Sequence, residues 1–234
     1  MACYDAPRIK PMGDRALLVE LGEGIDPDVN ARVHALAALV SQISPRGLEN
    51  VVPTYRAFMV QYDPLAVSAK TLEEMIKQLS GSLKQVGSAA GKLVEIPVCY
   101  GGDFGPDMEQ VASHCGLTLD EVIRRHTAPE YLIYMVGFTP GFPFLGGMDE
   151  SLSTPRLEKP RTRVPEGSVG IANSQTGIYP VTSPGGWQLI GKTPLKLFAP
   201  HRETPFLYEA GDRIKFVAID QDRFNELTEA EAKY

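Results

Sequence analysis

Proline and glycine constrain this chain most, because they fall unevenly along it. Eleven of its 19 prolines stand at 129, 140, 143, 155, 160, 165, 180, 184, 194, 200 and 205, and glycine is dense from 137 to 191. Proline removes a backbone donor and clashes with the preceding helical turn, and glycine gives up the most conformational freedom inside a helix. No long helix survives that spacing. The pieces between the breakers, at 131–136, 168–172, 178–182, 187–190, 195–198 and 213–219, are short and rich in β-branched and aromatic residues. Short strands punctuated this often predict a barrel or sandwich. A short helix or frayed tail is expected from Gln221 onward.

The first 90 residues read differently. The segment 14–21 predicts a strand, and Asp26-Pro27 opens a helix with proline in its first turn. Val29, Val33, Leu36, Val40 and Ile43 recur at steps of four and three, which is one helical face. Pro45 and Gly47 end it. Segments 49–55 and 57–62 predict two strands, and Thr71 with Glu74 predicts a capping box before a helix carrying Leu72, Met75, Ile76 and Leu79. A last strand is predicted over 92–100. The order β-α-β-β-α-β is the ferredoxin-like pattern. The predicted organisation is therefore an α+β ferredoxin-like domain over 1–92, then a mainly β domain over 93–234. A sheet with helices on one face leaves the other to be covered, which points to an association role for the first domain. A helical hairpin is expected over 106–127, with capping boxes at Asp107/Gln110 and Thr118/Glu121. It superficially resembles a DNA-binding helix-turn-helix, but its second helix opens with Asp120 and Glu121, which would face phosphate.

Charge and cysteine usage exclude several classes. Lys plus Arg is 23 against 29 for Asp plus Glu, a net charge of −6, which disfavours a surface built for nucleic acid. Cys3, Cys99 and Cys115 form no paired spacing, so free thiols in a reducing cytoplasm are expected. The start is charged and proline-broken, unlike a signal peptide, and no apolar run is long enough to span a membrane. The histidines at 34, 114, 126 and 201 form no metal-binding pattern and are expected on helix surfaces or loops. No phosphate-binding glycine loop, dinucleotide fingerprint or nucleophile elbow is present.

Three loops concentrate the unusual chemistry. They are Gly137-Phe-Thr-Pro-Gly-Phe-Pro-Phe-Leu-Gly-Gly147, Lys159-Pro-Arg-Thr-Arg-Val-Pro-Glu-Gly-Ser-Val-Gly-Ile-Ala172 and Asn173-Ser-Gln-Thr-Gly-Ile-Tyr-Pro-Val-Thr-Ser-Pro-Gly-Gly-Trp187. Aromatic walls with a few polar groups are the usual make-up of a small-molecule pocket. Arg161 and Arg163 alternate, so an extended backbone turns both to one side, a pair suited to a carboxylate or phosphate. The alternative is two solvated arginines on an edge strand. Ser183-Pro-Gly-Gly186 reads equally as an anion cradle or a tight turn, and Trp187 as a pocket wall or a core aromatic.

These strings, with Ala128-Pro-Glu-Tyr131, resemble the B-subunit family of bacterial 5-oxoprolinase, formerly called allophanate hydrolase subunit 1, which includes the kinase inhibitor Kip-I. The resemblance covers nearly the whole chain. It implies a cyclophilin-like β-barrel behind a smaller α/β domain. It also implies ATP-dependent opening of 5-oxo-L-proline to L-glutamate together with subunits A and C, with ATP a co-substrate of the complex. On that reading Arg161 and Arg163 clamp anions, and the backbone N–H groups of Gly167-Ser168 and Gly185-Gly186 hold developing negative charge. Phe138, Pro140, Phe142, Gln175, Thr176, Tyr179, Ser183 and Trp187 line or orient the substrate. Phe144 stands where tyrosine is expected in many members, and Asn173 where glycine is common. Homodimerisation through the first domain is a further expectation. The alternatives are inhibition of a sensor histidine kinase and an accessory role in a urea-carboxylating system.

Overall fold

The structure is a computed structural model that describes residues 3–83 and 91–231. The chain forms two compact units, Met1–Ala90 and Gly91–Tyr234. The first contains β1 (Cys3–Pro11), β2 (Ala16–Gly22), α1 (Pro27–Ile43), β3 (Leu48–Pro53), β4 (Ala57–Tyr62) and α2 (Ala69–Ser82). All four strands form one antiparallel sheet in the order β1-β2-β4-β3.

Helix α1 begins as its sequence predicts. The Asp26 carboxylate accepts from the N–H groups of Asp28 and Val29, with Pro27 at the first helical position. Val29, Val33, Leu36 and Val40 pack into a core with Leu17, Val19 and Leu21 of β2 and Phe58 and Val60 of β4. Ile43, on the same predicted face, is exposed, because the chain leaves the helix one residue later at Ser44 in a left-handed conformation. Helix α2 is capped by Ser68 rather than Thr71. The Ser68 hydroxyl accepts from the Thr71 N–H, so the helix starts one turn earlier than expected.

The predicted strand order of this unit is wrong at its ends. Segment 3–11, read as charged and proline-broken, is a strand at the sheet edge, where a missing proline N–H is tolerated. It occupies the edge position that the ferredoxin-like pattern gives to the strand after the second helix. That later strand, β5 (Leu93–Tyr100), belongs to the other unit. The order here is therefore β-β-α-β-β-α.

The second unit continues with α3 (Met108–Cys115), α4 (Leu119–Thr127), β6 (Tyr131–Val136), β7 (Pro143–Gly146), β8 (Arg161–Val164), β9 (Ser168–Ala172), β10 (Gln175–Ile178), β11 (Ser183–Gly185), β12 (Gln188–Lys192), β13 (Arg213–Ile219) and α5 (Gln221–Glu231). Seven strands form a sheet in the order β10-β9-β12-β5-β13-β6-β7, and its two end strands pack on each other, so it nearly closes into a barrel. Strand β5 runs parallel to β13 along seven residue pairs, Leu93↔Arg213 to Cys99↔Ile219. That ladder, with Ile96 and Val98 pointing into the barrel core beside Ile133, Val169, Ile171, Ile190 and Phe216, is what draws β5 away from the first unit.

Short strands β8 and β11 form a separate antiparallel pair. The expected strand over 178–182 is displaced to 175–178, and 195–198 forms only an isolated bridge, Phe198 to Phe206. Among the described residues no helix is long and apolar enough to cross a membrane.

Candidate functional site

A cavity of about 160 Å³ lies in the second unit, where the loop between β6 and β7 meets the segment from β10 to β12. Phe142 is its centre. It makes edge-to-face contacts with Phe144, Trp187 and Tyr179 at ring-centroid distances of 5.2, 5.6 and 5.7 Å, and with Phe138 at 6.2 Å. Such pairs favour the positive edge of one ring against the negative face of the next. Phe138 sits at the rim, 81% exposed, with a left-handed φ of 69°. The loop that carries it is tied down at its far end, where the buried Tyr208 hydroxyl donates to the Gly141 carbonyl at 2.7 Å.

The backbone of Gly185 and Gly186 closes another side of the cavity. Gly185 lies against the hydroxyl end of Tyr179, and a Cβ there would overlap the phenol oxygen. Burial pushes the Tyr179 phenol up, offset in part by a hydrogen bond from the Trp187 backbone and by the charges of Arg156 and Arg161. Among the described residues, the one charged side chain lining the cavity is Arg156. Phe144, also in the lining, carries no hydroxyl.

The predicted site residues divide. Phe138, Phe142, Tyr179, Gly185, Gly186 and Trp187 meet at this cavity. Pro140 is on the exposed tip of its loop, and neither Gln175 nor Ser183 is in the lining. Ser183 nevertheless has a buried hydroxyl with no hydrogen-bond partner.

The loop holding the arginine pair contributes no lining residue. Arg163 is exposed. Arg161 is a strut. It donates to the Asp107 carboxylate at 2.7 Å, and the other oxygen of Asp107 accepts from the Leu189 backbone at 2.6 Å. The expected capping role of Asp107 is accordingly absent, since its carboxylate is turned toward β12. Gly105 makes this possible, because its Cα lies against the Ile190 carbonyl and a Cβ would fall onto it. The N–H groups of Gly167 and Ser168, expected to hold developing charge, already donate to the Tyr179 and Pro165 carbonyls. Ser168 is buried in β9, outside the cavity lining.

Asp107 and Arg161 thus hold the strand that follows Trp187. Asp107→Ala orphans the Leu189 N–H and the guanidinium together, and is expected to cost about 2–3 kcal/mol. Asp107→Asn, which keeps one of the two acceptor oxygens, is expected to cost less than Asp107→Ala. Urea unfolding of both variants measures the difference.

Thr176 does not reach the cavity. It is 1% exposed and ends a buried relay with His126, which is also fully buried rather than on a helix surface. The Thr176 hydroxyl donates to the Gly170 carbonyl at 3.1 Å, so toward His126 Nε2, 2.8 Å away, it acts as acceptor. Nε2 therefore carries the proton, and Nδ1 accepts from the Tyr100 hydroxyl at 2.8 Å. Desolvation lowers the His126 pKa to about 3.

Nothing in the sequence around Arg156 marks it as a pocket residue. Arginines 156, 161 and 163 share one proline-broken stretch, and only the path of the loop decides which of them faces the cavity. Among the described residues no cluster of three or more His, Cys, Asp or Glu is placed to hold a metal ion.

The family profile described as "Carboxyltransferase domain, subdomain C and D" matches residues 7–208. The 5-oxoprolinase B subunit of Bacillus subtilis is 43% identical over 228 residues, covering 93% of this chain and 95% of the relative. The protein of the same name from Haemophilus influenzae is 46% identical over 171 residues, covering 73% of this chain and 76% of the relative. The crystal structure of TTHA0988 superposes with a TM-score of 0.79 at 42% identity over 88% of this chain, which spans 40% of the length of that protein. The chain belongs to the B-subunit family of 5-oxoprolinases.

Proposed function

We propose that this chain is the B subunit of a 5-oxoprolinase complex that opens 5-oxo-L-proline to L-glutamate with hydrolysis of ATP to ADP and phosphate, working with subunits A and C. The observation that carries this reading is the aromatic cavity with its one guanidinium. Sites for drug-sized ligands run to roughly 300–1,000 Å³. A cavity of about 160 Å³ suits a smaller guest. A five-membered lactam, flat about its amide, offers an apolar ring surface to Phe142 and Trp187 and one carboxylate to Arg156. The anion-binding role expected of Arg161 and Arg163 passes, on this reading, to Arg156. Arg161 becomes a positioning residue for Trp187.

Ring opening breaks the lactam C–N bond. The hydroxyl of water ends on the acyl carbon and its proton on the departing nitrogen. Backbone donors at Gly185 and Gly186 would face the lactam oxygen as charge builds on it. One well-placed donor of this kind contributes about 3–4 kcal/mol. One guanidinium in so small a volume does not fit a triphosphate, so we assign the nucleotide to the assembled complex and route no step through it here. We read the nearly closed sheet as the cyclophilin-like barrel, the first unit as the association element, and the cytoplasm as the compartment.

The test is co-expression with subunits A and C, followed by a coupled assay for L-glutamate and phosphate. Release of both in equal amounts, dependent on 5-oxo-L-proline and on this chain, is expected. An intact complex without that activity overturns the proposal. Inhibition of histidine-kinase autophosphorylation by the pure chain would then favour the inhibitor reading.

A further inference from the structure

A second cavity, of about 600 Å³, borders α3, the segment after Leu152 and the start of β12. Its character differs from that of the aromatic cavity. Gln110 and His114 project from α3, Arg156 and Glu158 come from the connecting segment, and Gln188 comes from β12. Arg156 lines both cavities.

Gln188 gives the site its direction. The residue is 3% exposed, and its amide is oriented by the Nε2 donation to the Pro155 carbonyl at 2.9 Å. That bond leaves Oε1, which is buried and has no partner among the described residues. A buried acceptor without a donor is costly, so this oxygen calls for an N–H or O–H from outside the chain. Glu158 adds a second acceptor with negative charge. Arg156 supplies the opposite sign.

We propose that this cavity binds an α-amino acid zwitterion, with its ammonium toward Gln188 Oε1 and Glu158 and a carboxylate toward Arg156. The inference rests on the proposed function for the choice of amino acid, L-glutamate. The closed lactam has one negative charge and a neutral N–H and suits the aromatic cavity. The opened product gains an ammonium and a second carboxylate, which suit the polar one. Arg156 can hold a carboxylate on either side, so the two cavities become substrate and product subsites joined at one guanidinium. A polyphosphate fits less well, because Glu158 would repel it.

Isothermal titration of the purified full chain tests the proposal, with L-glutamate and glutarate as probes. Glutarate keeps both carboxylates and lacks the ammonium. Saturable binding of L-glutamate is expected at ~1 mM or tighter. Glutarate, and L-glutamate with the Glu158→Gln variant, are each expected to bind about tenfold more weakly or worse, the usual loss for a charge-assisted hydrogen bond. Glu158 is exposed, so this variant should fold as the parent does. Absent L-glutamate binding, equal binding of glutarate, or unchanged binding by Glu158→Gln each overturns the inference. Failure of the function itself is separable. A chain that binds L-glutamate in a complex that cannot open 5-oxo-L-proline keeps the site and loses the reaction.

Discussion

Arg156→Gln is expected to raise KM for 5-oxo-L-proline in the assembled complex by about tenfold to a hundredfold, with kcat changed much less. The reason is the charge inventory of the aromatic cavity. Its other lining residues are aromatic, proline or glycine, so no second cation replaces the lost guanidinium. A charge-assisted hydrogen bond contributes about 1.5–3 kcal/mol, and each 1.4 kcal/mol is a factor of ten. A carboxylate bound alike in ground and transition states affects KM rather than kcat. Arg163→Ala is the matched control. That side chain is exposed and outside the cavity lining, so its KM should stay within about twofold of the parent. Equal effects of the two substitutions would show that the cavity does not hold the carboxylate.

Acid is expected to destabilise the second unit through His126. In the folded chain its pKa is lowered to about 3, against an ordinary 6.5. Between those values the unfolded chain carries a proton that the folded chain does not. Stability present above pH 6.5 is therefore lost as pH falls toward 3, by up to ~1.4 kcal/mol per pH unit. At pH 4.5 the contribution lost is about 2–3 kcal/mol. His126→Gln removes the titration, so its stability should fall less steeply over this range than that of the parent. At pH 7.5 it should cost about 2–4 kcal/mol, because the Tyr100 and Thr176 hydroxyls lose a shared buried partner. Urea unfolding at a series of pH values measures both effects. If the variant does not fold, NMR of the His126 ring in the parent decides. A ring that stays neutral down to pH 4.5 is the expected result, and a midpoint near 6.5 would remove His126 as the cause.

Nothing in the spacing of Tyr100, His126 and Thr176 marks them as a set, since they come from β5, α4 and β10. Each looks ordinary alone. Barrel closure brings them together and excludes water, and burial then fixes the tautomer. Thr176 lies in the third proline- and glycine-rich loop string, and the resemblance implies a substrate contact there. Period-two alternation along β10 nevertheless points it into the barrel.

What the sequence determined by itself was short-range. The face and start of α1 and the fragmentation of the second half into strands follow from local spacing, capping and stiff turns, whereas a shared site for Phe138, Phe142, Tyr179 and Trp187 is implied only by the family resemblance. The tertiary structure alone decided three things: that β5 pairs with β13, that segment 3–11 takes the vacant sheet edge, and that Arg156 faces the cavity while Arg161 turns to Asp107. The physical reason is common to all three. Strand partners and the direction of a loop side chain are set by ladders and ion pairs between residues far apart in the chain, and no periodicity within a segment encodes them.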